Sequence, residues 1–315
     1  MEFREGYIDL SSIHPHMNKI LDRYGTFLVI VVSIVLGFAL PQVGVIWKSY
    51  LTVLLMLLMF FVALSLESRE ITAAARNYPV IIIGLSTTLI LMPLIGITSR
   101  PFFPPVDFAG IILALCCPSA IVSSFWTKMF KGDVATALVI SVITNLLSII
   151  TIPLTILVAV GTTLSVNATS MMLTLAEIIL LPMTIAFVIR EYVHIDWNRV
   201  RTFGSRADLG IIVLIIWGSI AAGINYVKSD IIEFGALISF IISILAIAFV
   251  ATYLLTRRFG YQRAMAVMIP TTIKNATLSL VIGLTAFGPE VLPPLIANLI
   301  AQNIILIPAK AVTRK

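Results

Sequence analysis

The sequence predicts an all-α membrane protein in which ten transmembrane helices form two inverted five-helix repeats. Three observations predict this fold class: the composition, ten long apolar runs, and one similar disruption in each half of the chain. Of the 315 residues, 59% are hydrophobic and 11% are charged, and the mean hydropathy is +1.08. Soluble domains are nearer a quarter charged, which argues against a water-soluble enzyme. The only cysteines, Cys116 and Cys117, are neighbours and exclude a disulfide framework.

Continuous apolar runs are typical of membrane helices, because backbone groups in lipid must find hydrogen bonds within their own segment. A bilayer core of about 30 Å needs about 20 such residues. The runs cover approximately 22–41, 49–66, 79–98, 108–127, 134–160, 168–190, 208–225, 234–255, 264–287 and 291–309. We therefore expect a single transmembrane domain over residues 1–315, with repeat 1 at about 22–160 and repeat 2 at about 168–309.

Basic residues predict how the chain is oriented, because cytoplasmic loops are enriched in Lys and Arg. Of the 21 basic residues, 17 fall in segments on one side of the predicted membrane, three fall on the other side, and Lys274 lies inside the ninth run. This bias predicts a multi-pass protein of the cell membrane with both termini in the cytoplasm.

The fourth run of each half contains a proline followed by small polar residues. Pro118 precedes Ser123 and Ser124 in the first half, and Pro270 precedes Asn275 in the second half. A proline within a helix removes one backbone hydrogen bond. Matched interruptions in two inverted halves indicate discontinuous helices that form a binding site near the membrane midplane. A simple proline kink is the alternative.

Two charged residues lie well inside apolar runs. Ionisable groups in the middle of a membrane are costly and usually functional, so Lys274 in the ninth run and Glu177 in the sixth run are candidates. The lysine has the alternative of extending its ammonium to the interface. Glu177 has three alternatives: facing a water-filled cavity, pairing with Lys274, or lying protonated between helices.

Several segments resemble the bile acid:sodium symporter family. The resemblance is carried by Leu54–Leu66, residues 77–93, Cys117–Ser124, Gly132-Asp133 and Ala135–Pro153. It implies a core domain built from spans three to five and eight to ten, in which spans four and nine are broken and cross. It also implies a panel of the other four helices that moves against the core, and organic anions as substrates taken up with sodium.

The chain departs from that family at the sodium sites. Thr88 stands where the family has a third-span glutamine, and Ser123-Ser124 stands where it has a fourth-span Ser-Asn pair. The two fifth-span hydroxyl residues of the family correspond to Ala137 and Ser141, so one hydroxyl is missing. In the ninth span, Pro270 replaces the family's glutamate and Lys274 replaces its glutamine, whereas the asparagine is retained as Asn275. Hard cations are bound by several oxygen ligands, carboxylates among them. The loss of a glutamate and the gain of an ammonium therefore argue against a sodium site.

These residues predict a secondary transporter that moves a small organic anion by alternating access. We interpret Lys274 as a fixed cation in place of sodium, which predicts sodium-independent or proton-coupled transport. The substrate contacts that we expect are Ser123, Ser124, Thr271, Lys274 and Asn275. The family places span six in the panel, so Glu177 is a candidate gating residue. The expected partners are the solute, the lipid bilayer and protons, without nucleic acid.

Three alternatives are open. The related arsenite-efflux permeases also have a Trp before a Gly-Asp, as Trp126 precedes Gly132-Asp133, but their fourth-span cysteine corresponds to Ser119, with Cys117 two residues away. A sodium-coupled organic anion symporter and a non-transporting membrane receptor are the other two. Metal-ligand clusters, a P-loop and hydrolase motifs are absent from the sequence, so we expect neither an enzyme nor a cofactor or metal.

Overall fold

A computed structural model describes residues 28–65, 77–120, 122–161, 167–193 and 197–312. The chain ends, on which the prediction of cytoplasmic termini depends, lie outside the described residues. The beginning of the first predicted run lies outside them as well.

The described residues fold mainly into helices, as the apolar runs predict. In chain order we number them α1 (Leu28–Ala39), α2 (Pro41–Leu64), α3 (Tyr78–Ile97), α4 (Pro105–Cys116), α5 (Ser123–Met129), α6 (Val134–Val160), α7 (Ala168–Tyr192), α8 (Trp197–Ser229), α9 (Ile231–Thr256), α10 (Tyr261–Thr272), α11 (Ala276–Ala286) and α12 (Leu292–Val312).

Helix length agrees with a membrane protein. Within the described ranges, 7 helices are long and apolar enough to cross a membrane, and α1, α4 and α11 are shorter apolar helices. At 1.5 Å per residue, α4 is about 18 Å long, which is less than the thickness of a bilayer core. The fourth and ninth predicted runs are each divided into two helices. The all-α membrane fold is thus confirmed, whereas the ten-helix inverted repeat stays a prediction.

Four helices begin at side chains that cap them. The side-chain oxygens of Asp133, Asn167, Asp230 and Asn275 accept hydrogen bonds from the backbone amides three residues later, at 3.2, 2.9, 2.8 and 3.1 Å. Such caps satisfy amides that the first turn of a helix leaves free. The starts of α6, α7, α9 and α11 are therefore fixed by single Asp or Asn residues.

The helices pack in two groups. In one group α2 packs against α7 and α8, and α1 contacts α8 where Gly37 meets Ile220. In the other group α12 packs against α9 and α4, and α10 packs against α3, α6 and α9. The broken helices, α4–α5 and α10–α11, belong to the second group.

Small residues allow the closest helix contacts. A Cβ atom on Gly110 of α4 would overlap the ring of Pro294 and lie 2.9 Å from the carbonyl oxygen of Val291. A Cβ atom on Gly283 of α11 would overlap the side chain of Leu295. Both glycines therefore let α4 and α11 approach the start of α12.

We expect Gly110→Ala to lower the free energy of unfolding by about 1–3 kcal/mol, the usual cost of overpacking a core, because the proline ring and the carbonyl cannot move aside cheaply. The measurement is the Tm of the purified protein. The matched control is Gly235→Ala in α9, where no described heavy atom lies within 4 Å of the added Cβ. An equal decrease in both variants would contradict this packing analysis.

Candidate functional site at the two helix breaks

Two helices are interrupted inside the apolar part of the molecule. α4 ends at Cys116 and α5 begins at Ser123. α10 ends at Thr272 and α11 begins at Ala276. Such breaks expose peptide groups that would be costly in an apolar environment unless they were hydrogen-bonded. Their partners therefore decide how the site is built.

The prolines contribute differently to the two breaks. Pro118 lies within the first break, as predicted from the sequence. The predicted break at Pro270 is displaced, because Pro270 lies inside α10 and the helix continues to Thr272. A proline ring suits the helical φ angle and removes only one hydrogen bond. The second break begins at Ile273, three residues after the proline.

The two breaks pair with each other as a short antiparallel bridge between Ser119 and Lys274. The amide of Ala120 donates to the carbonyl of Ile273 at 2.9 Å, and the amide of Asn275 donates to the carbonyl of Pro118 at 2.8 Å. Each break thus satisfies peptide groups of the other. The predicted crossing point is a direct backbone contact.

Side chains of α6 and α12 satisfy further peptide groups at this crossing. The amide of Ser119 donates to Thr144 Oγ1 at 3.3 Å, and Asn145 Nδ2 donates to the carbonyl of Ser119 at 2.9 Å. The amide of Lys274 donates to Gln302 Oε1 at 2.9 Å. These polar residues hold the breaks in place within a largely apolar bundle.

Three buried serines form a hydroxyl cluster beside the first break. Ser119 Oγ lies 3.1 Å from Ser123 Oγ and 3.0 Å from Ser141 Oγ, and Ser123 Oγ lies 2.9 Å from Ser141 Oγ. The structure thus brings together two predicted residues, Ser123 and Ser141, with Ser119. Ser124 lies outside this cluster, and its buried Oγ has no hydrogen-bond partner among the described residues.

The lysine at the second break is completely buried, with 0% of its surface exposed. Its Nζ donates to the backbone carbonyl oxygen of Thr88 in α3 at 3.0 Å. The side chain therefore binds within the helix bundle. The alternative in which the ammonium extends to the membrane interface is wrong for this structure.

The geometry of α3 explains why the Thr88 carbonyl is available. Residues Thr87–Leu91 form a π-helical turn, in which the amide of Met92 donates to the carbonyl of Thr87. The same i to i+5 pattern would pair the carbonyl of Thr88 with residue 93, which is a proline without an N–H group. Pro93 therefore frees the oxygen that accepts the lysine.

Threonine hydroxyls adjoin this lysine contact. Thr271 Oγ1 lies 2.8 Å from Thr87 Oγ1 and 3.4 Å from Thr88 Oγ1. The sequence singled out Thr88 and Thr271 but missed Thr87, which gave no signal beyond being the first residue of a Thr-Thr pair. Together these contacts tie α10 to α3.

A cavity of about 250 Å³ lies beside the crossing, with Lys274 and Asn275 in its lining. Ser123, Ser124 and Thr271 do not contribute to that lining. The opposite wall of the cavity is formed by α2 and α8, which contribute Leu58 and Asp208 among others. Thr277 and Gln302 are polar residues of the lining near the crossing. The sequence gives no signal for Asp208, because a charged residue at the first position of an apolar run has the pattern of a helix border.

Asn275 is a structural residue as well as a lining residue. Its Oδ1 accepts hydrogen bonds from the amide of Leu278 at 3.1 Å and from Thr277 Oγ1 at 2.9 Å. Its Nδ2 donates to Asn145 Oδ1 at 3.2 Å. This asparagine therefore joins the start of α11 to α6.

Glu177 and the cysteines form no hydrogen bond with Lys274 or with the serine cluster in the described residues. Glu177 is exposed on α7, and in the described structure the ammonium of Lys274 binds Thr88 rather than this carboxylate. Both cysteines are free and buried, and Cys117 belongs to the large apolar cluster of the bundle. The position of the arsenite-permease cysteine is thus occupied by Ser119, and Cys117, two residues away, is packed as a small apolar residue.

Asn145 and Asn298 provide a matched test of this polar network. We expect Asn145→Leu to lower the free energy of unfolding by about 2–5 kcal/mol, because it leaves the carbonyl of Ser119 and the side-chain Nδ2 of Asn275 without their partner. Asn298 is buried without a partner for either side-chain atom in the described part of the chain. Asn298→Leu should therefore leave the Tm unchanged or raise it. The network would be contradicted if the two variants had equal Tm values.

Comparisons with known proteins identify the family. The profile of the SBF-like CPA transporter family matches residues 25–308. The "Uncharacterized sodium-dependent transporter YocS" of Bacillus subtilis (strain 168) is 24% identical over 266 residues, which cover 82% of this chain and 81% of the relative. "Uncharacterized protein PA2026" of Pseudomonas aeruginosa is 22% identical over 307 residues, or 91% and 92% of the two chains.

A plant relative matches a shorter segment. The "Probable sodium/metabolite cotransporter BASS3, chloroplastic" of Arabidopsis thaliana is 26% identical over 137 residues, which cover 43% of this chain and 32% of the relative. The family profile spans most of the chain, and seven of the described helices are long and apolar enough to cross a membrane. This multi-pass membrane protein therefore belongs to the SBF-like CPA transporter family, which is of the bile acid:sodium symporter type.

Proposed function

We propose that the protein is a sodium-independent secondary transporter of a small organic anion, with Lys274 as its fixed cation. One observation carries this proposal: a completely buried ammonium on a broken helix is bound by a backbone carbonyl that a proline leaves free. A membrane-buried lysine held in this way is costly to keep and is usually functional.

The ammonium has the charge of an alkali ion and an oxygen ligand of the kind that such an ion binds. Nζ of Lys274 donates a hydrogen bond to the carbonyl oxygen of Thr88, and the Thr87 and Thr271 hydroxyls bind each other on the same two helices. In the described structure Lys274 forms no ion pair with a carboxylate, so its positive charge is available to compensate an anion. A covalently held cation does not leave with the solute, and the cycle then needs no sodium gradient.

The start of α11 supports an anionic solute. Asn275, Ala276 and Thr277 line the cavity at the N-terminal end of this helix, where the helix dipole is positive. Together with Lys274, this end of the cavity favours a negative group. Proton coupling remains part of the proposal, because a lysine can take up and release a proton during transport.

We also propose the architecture that such a cycle requires. Ten membrane helices would form two inverted repeats, with a core that holds both broken helices and a panel that includes α2, α7 and α8. The cavity between the crossing and α2 and α8 supports alternating access by movement of the panel. Cytoplasmic termini in the cell membrane and a gating role for exposed Glu177 belong to the same proposal.

Sodium-coupled symport is the second candidate, and one observation favours it. The hydroxyls of Ser119, Ser123 and Ser141 converge within 3.1 Å of one another, and oxygen clusters are the usual ligands of hard cations. This cluster lacks a carboxylate among its hydrogen-bond partners in the described residues, which is why we place it second.

The test separates the two candidates by sodium binding and by uptake. We expect the wild-type protein to bind no radioactive sodium saturably and to have the same Tm in sodium chloride and choline chloride. In proteoliposomes, uptake of labelled small carboxylates should be equal in sodium and potassium media. Lys274→Gln should reduce that uptake about tenfold or more, because a fixed charge next to an anion contributes about 1.4 kcal/mol or more.

Lys128→Gln is the control, because it removes an exposed lysine from α5 and should leave the uptake unchanged. Saturable sodium binding by the wild type, with sodium-dependent uptake that Lys274→Gln does not alter, would overturn the proposal in favour of sodium symport.

A further inference from the structure

The cavity beside the crossing contains a carboxylate that the proposed function does not use. Asp208 of α8 lines this cavity. Its Oδ1 atom is buried and has no hydrogen-bond partner in the described part of the chain. Burying a carboxylate without a partner is costly, so its position in the lining indicates a partner that arrives from the cavity.

The described neighbours do not supply that partner. Arg206 is exposed and lies two residues away on α8, a spacing that does not bring side chains onto the same helix face. Arg190 of α7 donates to the backbone carbonyl of Leu64. The side chain of Asp208 therefore faces the cavity without a described cation beside it.

The cavity extends over about two turns of α8. Along α8 the lining includes Asp208, Ile212 and Ile216, which share one helix face. The helical rise separates Asp208 from Ile216 by about 12 Å. Leu58 and Leu299 add apolar surface to the lining. We therefore expect a solute that fills this cavity to be apolar between its two ends.

The described lining holds one acidic and one basic residue. Asp208 and Lys274 are its only ionisable residues. A solute with only an anionic group would pair with Lys274 and leave Asp208 without a partner. A solute with both an anionic and a cationic group would give each protein charge a partner.

We propose that the transported solute is a small zwitterion, whose amine binds Asp208 while its anionic group lies at the crossing near Lys274 and the start of α11. This inference rests on the proposed function, because it takes the cavity as the transport cavity. The volume of about 250 Å³ lies just below the usual range of ligand pockets, so the solute is small.

The experiment uses three matched series of straight-chain probes with four to eight carbons: ω-amino carboxylates, the corresponding carboxylates and the corresponding amines. Binding to the purified full-length protein is measured by calorimetry. We expect the best ω-amino carboxylate to bind about tenfold more tightly than the carboxylate or the amine of the same length, the gain from one charge-assisted contact.

Variants of Asp208 assign the amine contact. Asp208→Asn should remove the preference, so that the amino carboxylate and the carboxylate bind equally, and its Tm should not fall because the carboxylate has no described partner. Asp208→Glu should retain the preference. Glu191→Gln, which removes an exposed carboxylate from α7, is the control and should behave as the wild type.

The two proposals fail in different ways. A wild-type protein that binds carboxylates as tightly as amino carboxylates, or that binds no amino carboxylate of the series, overturns the zwitterion. So does an Asp208→Asn variant that keeps the preference. Carboxylate binding that is unchanged in Lys274→Gln overturns the role of Lys274 in the proposed function, whatever the Asp208 variants show.

Discussion

The structure of the site depends on one constraint: peptide groups exposed by a break in a membrane helix need hydrogen-bond partners. The two breaks meet this requirement in each other, through the Ala120–Ile273 and Asn275–Pro118 backbone contacts. Thr144, Asn145 and Gln302 satisfy further groups from neighbouring helices. A short bridge of extended chain is thereby stable inside a helical bundle.

The sequence predicts much of this arrangement because its main signals are local. Long apolar runs predict the membrane helices, and the polar residues after Pro118 and Pro270 predict where two of them are interrupted. The binding partner of Lys274 could not be predicted, because it is a backbone carbonyl. Thr88 offers that oxygen only through the combination of a π-helical turn and Pro93 in another helix. A resemblance that compares side chains position by position identifies Thr88 but not the atom that matters.

Asp208 was missed for a related reason. At the first position of an apolar run, next to a basic loop, a carboxylate has the pattern of an ordinary helix border. The helix itself begins earlier, at Trp197, so Asp208 lies within a continuous helix and on the face towards the cavity. Only the packing of α8 against α2 and the crossing distinguishes this residue from the exposed Arg206.

The contacts of Lys274 constrain how the protein changes conformation. Its ammonium binds α3, its amide binds Gln302 of α12, and the adjacent Asn275 binds Asn145 of α6. The crossing is thus bound to three helices of the same packing group, and separating it from any of them would leave buried polar groups unpaired. The wall formed by α2 and α8 is mainly apolar and can slide at a smaller cost. For the proposed alternating access, these contacts therefore favour movement of that wall against an intact crossing, in which Lys274 keeps its contact with α3.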